Sequence, residues 1–265
     1  MSEWWLVYLV LGAFVGFFSG LLGIGGGSVM VPVLAFVFAA NQFTPSSVLH
    51  LALGTAMATL ILTSASSAIT HHRHQAVNWT LVYKIAPGVL IGTFGGALIV
   101  GYLNLAILSL LFTLLIYFLA TKMLIDSKPI TNSELPGIGT LSLVGGGIGL
   151  ISSLTATGGA TLVVTYLVKR QISIHNAIGT AAAIGWPLAV AGTLGYVLSG
   201  LSAPDLPTLS IGYIYLPAAA VIVVTSIIMA PVGAKLSHKT PARTLRKIFA
   251  VLLYVLATKM LLNFF

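Results

Sequence analysis

Two runs of small residues carry the most specific chemistry in this sequence. Each run interrupts an apolar stretch and precedes a short apolar segment, 28–40 or 158–168, so each is expected to begin a helix. The first N–H groups of a helix have no acceptor within it and lie at the positive end of its dipole, so they bind anions without a cationic side chain. We therefore predict one anion site built from residues 25–28, the first break, and residues 157–161, the second break. The candidate binding residues are Gly25, Gly26, Gly27, Ser28, Thr157, Gly158, Gly159 and Thr161.

The composition places these breaks in a membrane. Of the 265 residues, 58% are hydrophobic and 6% are charged, whereas soluble domains carry about 25% charged residues. The chain lacks the charge to cover a surface in water, so we predict an all-α polytopic membrane protein. Hydrocarbon cannot satisfy the free backbone groups of a broken helix, which persist only next to protein or a polar cavity. The breaks are therefore expected inside the protein.

Ten apolar segments fall into two sets of five. The polar linker 126–136 separates them, which predicts a first membrane repeat over 1–125, a cytoplasmic linker and a second membrane repeat over 137–265. Segments 28–40 and 158–168 are shorter than the roughly 20 residues that span a bilayer. Each is either the return arm of a re-entrant hairpin or a tilted full span. The segments are 4–22, 28–40, 47–70, 79–101, 104–125, 137–155, 158–168, 175–199, 211–236 and 242–264.

Three motifs recur in the same order in both halves. The break recurs 133 residues later, the pattern His-x-x-x-Gly-Thr begins at His50 and again at His175, and Ala-Thr-Lys-Met-Leu occupies 120–124 and 257–261. Chance gives one such match, whereas three in one order predict an internal repeat. Broken helices at matching places in two repeats are typical of a transporter binding site.

Charged loops predict how the chain crosses the membrane. With five passes per half, the second half is inverted, and the loops at 71–75, 126–136, 169–174 and 237–242 share one side. These loops hold or adjoin most of the Lys and Arg residues, so the positive-inside rule makes that side cytoplasmic and places both termini outside the cytoplasm. Membrane orientation thus accounts for the net charge of +8, and no nucleic-acid partner is expected.

The run over 16–34, GFFSGLLGIGGGSVMVPVL, resembles the signature of the TauE/SafE family of sulfite exporters. The Gly-Thr-Ala run at 54–56 and the second break also fit that family's repeated pattern, and the likeness covers essentially the whole chain. The second copy departs from the pattern, since Thr165 stands where Pro32 does in the first. The resemblance implies a multi-pass transporter of the bacterial inner membrane. Its substrates would be small sulfur-containing anions such as sulfite, thiosulfate, sulfoacetate or related organosulfonates, with export the expected direction.

Two histidines and two threonines are the polar candidates outside the breaks. No Asp or Glu falls inside an apolar segment, so any proton coupling would fall to histidine. His50 and His175 either titrate along the path or lie at the interface and pack there. Thr55 and Thr180, one turn further into their helices, either add polar lining or hydrogen-bond the carbonyls of their own helix.

Other kinds of chemistry find little support. The chain has no cysteine, which excludes disulfides and Cys-ligated metals. The run His71-His72-Arg73-His74 is interpreted as a solvated basic loop, because no carboxylate or thiolate supports a metal there. We expect no metal and no other cofactor.

Three function classes follow from these patterns. A secondary transporter that alternates access around a midplane anion site is the leading hypothesis, and a passive anion channel is the alternative. An intramembrane enzyme is the least favoured class, because the apolar segments offer no acid to orient a histidine base. The expected partners are a sulfur anion and the lipid bilayer, and the oligomeric state is left open.

Overall fold

Helices account for most of the residues that the structure describes. The computed structural model describes residues 4–22, 26–124, 136–157, 159–237 and 242–264. Over these residues there are ten α-helices, a short 3-10 turn at Pro45–Ser47 and one small β-hairpin, which confirms the prediction of an all-α polytopic membrane protein. The helices are α1 (Trp5–Leu22), α2 (Gly27–Ala40), α3 (Val48–Arg73), α4 (Trp79–Gly101), α5 (Leu105–Leu124), α6 (Ile138–Thr155), α7 (Ala160–Lys169), α8 (Ile174–Gly200), α9 (Leu216–Ser237) and α10 (Ala242–Phe264).

Helix length separates spanning helices from half-length ones. Among the described residues, α3, α4, α5, α6, α8 and α9 are long and apolar enough to cross a membrane, which identifies a multi-pass membrane protein. In contrast, α2 has 14 residues and α7 has 10. At about 1.5 Å per residue these two helices reach about 21 Å and 15 Å, less than the roughly 30 Å of a hydrocarbon core.

Two parallel helix pairs join the halves of the chain. The first helix of each half packs along the fourth helix of the other, so α1 lies on α9 and α6 lies on α4. Glycines permit this close packing: a Cβ added at Gly16 would overlap the Ser226 carbonyl, and one added at Gly92 would overlap the Gly146 carbonyl. The glycines that recur every four residues in α1 and in α4 therefore serve helix packing.

Two further contacts also join the halves of the chain. Helices α3 and α8 pack antiparallel, and Gly54 and Gly192 lie against residues of the opposite helix. Helices α5 and α10 also pack together, where Tyr117 Oη hydrogen-bonds Thr258 Oγ1 at 2.6 Å and Tyr254 hydrogen-bonds Thr121. Each contact joins equivalent helices of the two halves, so the arrangement has an approximate two-fold relation.

The bundle has two chemically different ends. The end at which α3, α7 and α9 terminate bears Arg73, Lys169, Arg170 and Lys235, and we call it the basic end. At the opposite end, the Thr44 hydroxyl donates to the Asp205 carbonyl at 2.9 Å, which ties the α2–α3 link to the α8–α9 link. The latter link contains the hairpin of β1 (Ser210–Ile211) and β2 (Ile214–Tyr215), paired antiparallel.

Candidate functional site

Both breaks end in the same backbone conformation. Gly26 has φ 61° and ψ −9° and caps the start of α2, while Gly159 has φ 67° and ψ −8° and caps the start of α7. This left-handed region costs glycine nothing but penalises residues with a Cβ. Each break is therefore a sharp, defined turn into a helix N-terminus, which is where the sequence predicted one.

The chain reverses direction at each break. Gly26 packs against Val15, and Gly159 packs against Ile148, and both partners lie about two turns before the end of the preceding helix. The end of α2, at Asn41, lines a small cavity with Trp4 at the beginning of α1. Since α1 begins and α2 ends at the same side of the bundle, segment 28–40 is the return arm of a re-entrant hairpin and not a tilted full span. In the second half, α7 has 10 residues and is too short for a full span.

Each short helix begins near the middle of a spanning helix. The Thr59 hydroxyl, halfway along α3, donates to the Met30 Sδ atom at 3.1 Å, in the first turn of α2. In the second half, a Cβ added at Gly159 would lie 2.8 Å from Leu188 Cδ1, halfway along α8. The helix N-termini after both breaks are therefore at about half the depth of the bundle.

The two hairpins meet each other there. A Cβ added at Gly27, the first residue of α2, would overlap the backbone carbonyl oxygen of Ala156. Ala156 ends α6 with φ 48°, in the left-handed region. Only a glycine at position 27 allows the two backbones to approach this closely. We call this contact and the residues around it the break junction.

Unpartnered hydroxyl groups are found on both sides of the break junction. Ser28 Oγ and Ser152 Oγ are buried and have no hydrogen-bond partner, an arrangement that costs free energy unless a ligand or water occupies it. Ser152 Oγ would lie 3.1 Å from a Cβ added at Gly159. Sequence reasoning missed Ser152 as a binding candidate, although its match to Ser19 at the repeat offset was a usable signal.

The other polar residues at and near the second break make different contacts. The Thr157 hydroxyl hydrogen-bonds Thr155 Oγ1 at 3.1 Å, and Thr161 is buried in the first turn of α7. Tyr196, fully buried on α8, donates its hydroxyl to the Ser153 carbonyl at 2.7 Å. Gly25 and Gly158 fall outside the described residues.

The electrostatics of the break junction come from dipoles and hydroxyls. Among the residues whose burial the structure describes, no Asp, Glu, Lys or Arg is buried. Over the same part of the chain, no group of three or more His, Cys, Asp or Glu side chains is placed to hold a metal ion. The junction therefore offers hydrogen-bond donors and helix N-termini without a fixed countercharge.

Thr55 and Thr180 make equivalent contacts away from the junction. Thr55 Oγ1 accepts the Tyr215 backbone N–H at 3.0 Å, and Thr180 Oγ1 accepts the Asn78 backbone N–H at 3.0 Å. Tyr215 directly precedes α9 and Asn78 directly precedes α4. Each threonine thus accepts a hydrogen bond from the residue that precedes a helix of the opposite half, and so holds the start of that helix. This role differs from both roles expected from the sequence, which were polar lining and a hydrogen bond within the threonine's own helix.

The repeat-matched histidines lie at opposite ends of the bundle. His50 is buried, its Nε2 lies 3.1 Å from the Val100 carbonyl, and its ring stacks on Tyr213 at 4.9 Å. Burial raises the pKa of the Tyr213 phenol, so that ring stays neutral. His175 is exposed in the first turn of α8, at the basic end. The structure therefore brings neither histidine to the break junction.

One expectation about the His-rich run is wrong. Residues 71–73 form the last turn of α3 and not a loop, and His71 is fully buried with its Nε2 3.0 Å from the Gly20 carbonyl. Its neighbours His72, Arg73 and His74 are exposed, as a basic surface would be. The difference arises because α3 continues past the apolar segment and packs its last turn against α1.

Comparisons with known proteins agree with this architecture. The sequence model of the family described as sulfite exporter TauE/SafE matches residues 8–260. A protein of Haemophilus influenzae named "Probable membrane transporter protein" is 38% identical over 262 residues, which cover 97% of this chain and 98% of the relative.

More distant relatives carry the same kind of name. "Probable membrane transporter" proteins of Methanocaldococcus jannaschii and Bacillus subtilis are 24% and 26% identical and cover 96% and 74% of this chain, and 94% and 78% of their own lengths. No solved structure matches the chain significantly. From the family match over nearly its whole length, the chain belongs to the TauE/SafE sulfite exporter family of membrane proteins.

Proposed function

We propose that this chain is a secondary transporter that moves small sulfur-containing anions across the bacterial inner membrane. The substrates would be sulfite, thiosulfate, sulfoacetate or related organosulfonates, in the direction of export, by alternating access around the break junction. The observation that carries the proposal is the contact of Gly27 with Ala156 at half depth. It brings the N-terminus of α2, in the first half, against the C-terminal end of α6, in the second half, shortly before α7 begins at Ala160.

The chemistry of the break junction suits a small oxyanion. Two N-terminal dipoles and their free N–H groups replace part of the hydration that the anion loses. The Ser28 and Ser152 hydroxyls, which have no protein partner, add donors. A bound anion is released again because no buried lysine or arginine among the described residues holds it by full charge.

A carrier fits the break junction better than a permanent channel. At the contact of Gly27 with Ala156 the two backbones leave no room for an anion, so the hairpins must separate before substrate passes. The hairpins are held by distinct helix pairs, α1 with α9 and α6 with α4. Relative movement of these pairs would open the site to one side at a time.

Domain division and orientation belong to the same proposal. We assign the first repeat to 1–125 and the second to 137–265, with 126–136 as a cytoplasmic linker. The basic end, which bears Arg73, Lys169 and Lys235, would face the cytoplasm by the positive-inside rule. Both termini would then lie outside the cytoplasm.

A flux assay in proteoliposomes tests the proposed function. Purified protein would be reconstituted and offered sulfite, thiosulfate, sulfoacetate and sulfate with and without an imposed proton gradient. Uphill accumulation of at least one sulfur anion is expected, because a carrier couples transport to a gradient and a channel does not. Flux that only equilibrates concentrations would favour the channel, and no flux of any of these anions would refute the proposal.

A further inference from the structure

A stripe of buried polar side chains runs along α3. Thr55, Thr59, Thr63, Ser67 and His71 follow one another at intervals of four residues, so each is the neighbour of the next in one ridge that is inclined to the helix axis. Every one of them is at most 1% exposed. The stripe covers about 24 Å at 1.5 Å per residue, from the opposite end to the basic end.

The stripe faces one group of helices and passes the first break. Thr59 contacts Met30 of α2, and the Thr63 hydroxyl hydrogen-bonds Ser226 Oγ of α9 at 2.7 Å. His71 Nε2 lies 3.0 Å from the Gly20 carbonyl of α1. The stripe therefore lines the seam between α3 and the group formed by α1, α2 and α9, and this seam leads from the basic end to the break junction.

The second half of the chain provides an internal comparison. At the repeat offset of 125, the equivalent positions on α8 are Thr180, Ile184, Leu188, Gly192 and Tyr196. Two of these residues face the equivalent helices: Leu188 lies by Gly159, the cap of α7, and the Tyr196 hydroxyl donates to the Ser153 carbonyl of α6. The same packing is thus achieved with apolar residues at the middle positions.

The hydroxyl groups of α3 at Thr59, Thr63 and Ser67 are therefore not needed to pack this fold. Ser67 Oγ is the clearest example, since it is buried and has no hydrogen-bond partner, so it makes no polar contact that packing could require. An unsatisfied buried hydroxyl destabilises a protein, whereas water in an opened seam would satisfy it. Exposed Arg73 at the mouth of the seam gives it a positive entrance.

From the polar seam of α3 and its apolar counterpart on α8, we infer that water and the transported anion reach the break junction from the basic end, between α3 and the α1–α9 pair. Thr63, Ser67 and His71 line this route. The equivalent route from the opposite end, along Leu188, Gly192 and Tyr196, stays dry until substrate is bound. The inference rests on the proposed function and adds the side to which the unloaded carrier is open.

Cysteine labelling tests this route, and the natural chain is suited to it because it contains no cysteine. Ser67→Cys and Thr63→Cys place a thiol in the polar seam, and Leu188→Cys places one at the equivalent of position 63 on α8. Each variant would be reconstituted without substrate and treated with methanethiosulfonate ethyltrimethylammonium from one face at a time. Gln171→Cys, at the basic end, and Ser202→Cys, at the opposite end, are exposed positions that report which face the reagent reaches.

We expect Ser67→Cys and Thr63→Cys to react from the basic face about tenfold faster than Leu188→Cys reacts from either face, because thiol modification follows exposure. Equal rates at the three positions, or faster labelling from the opposite face, would overturn the inference. Should Thr63→Cys fail to fold, Ser226→Cys on the facing helix replaces it. Labelling needs no substrate, so a labelled seam without anion flux would refute the proposed function alone, and flux without labelling would refute the route alone.

Discussion

Gly27 of α2 lies against the backbone carbonyl of Ala156 at the end of α6, although 129 residues separate them in the chain. Neither residue can move away from this contact without shifting a hairpin, because Gly27 begins α2 and Ala156 directly follows α6. The contact fixes where the first turn of α2 meets the hairpin of the opposite half. Any change at the break junction should therefore affect transport more than it affects the bundle around it.

Replacement of either capping glycine should abolish transport. In Gly26→Val and Gly159→Val, the left-handed backbone is strained and the new side chain overlaps Val15 or approaches Leu188 and Ile148. The spanning helices do not depend on these residues, so membrane insertion and the elution profile in detergent should be retained. Flux in proteoliposomes measures the effect.

Gly147→Val is the matched control for these variants. Position 147 lies in α6 with no atom near an added Cβ, so its flux should stay near the wild-type value. Wild-type flux in both Gly26→Val and Gly159→Val would contradict a site at the break junction.

Loss of the Thr55 or the Thr180 hydroxyl should destabilise the fold, because each accepts a hydrogen bond from the residue that precedes a helix. Thr55→Val and Thr180→Val keep the shape of the side chain but leave the Tyr215 or Asn78 backbone N–H without its acceptor. Such a loss costs about 1–3 kcal/mol, and the two variants should lose similar amounts because their contacts are equivalent. Thermal unfolding in detergent would measure the change.

Thr193→Val provides the comparison, since the Thr193 hydroxyl donates only to the Ala189 carbonyl of its own helix. Its unfolding temperature should stay close to that of the wild type. If Thr55→Val and Thr180→Val unfold no earlier than Thr193→Val, the two contacts do not stabilise the bundle.

Local features of the breaks were predictable from the sequence. The glycine runs and the short segments after them indicated two helix starts, and Gly26 and Gly159 do cap α2 and α7. The repeat also indicated that the halves correspond. The reason is physical, because only glycine takes the left-handed turn without cost and because lipid forbids free backbone groups elsewhere.

Long-range contacts were not predictable in this way. The partner of Thr55 is 160 residues away and that of Thr180 is 102 residues away, so no local pattern identifies them. The burial of His71 depends on how far α3 extends and on α1 packing beside it. The polar stripe of α3 was visible as a four-residue spacing. Its difference from the apolar residues of α8 could be interpreted only once the structure showed that α8 occupies the equivalent place.

The pH dependence of transport tests the remaining histidine hypothesis. If His50 and His175 couple transport to protons, the double variant with alanine at both positions should lose the change in transport rate between about pH 5 and pH 8, where histidine titrates. The rate of flux at several pH values measures this. An unchanged profile would remove these two residues from proton coupling, and the single variants would show which of them matters if the profile does change.

The most direct test of the account is sulfite binding to the purified protein and to Ser28→Ala and Ser152→Ala. Neither substitution removes a protein hydrogen bond, so the unfolding temperature should not fall. A hydrogen bond to a charged ligand is worth about 1.5–3 kcal/mol, so each variant should bind sulfite about 10- to 100-fold more weakly. Ser199→Ala, which also lacks a hydroxyl partner but lies at the end of α8, should bind like the wild type. Equal sulfite affinity in all four proteins would contradict an anion site at the break junction.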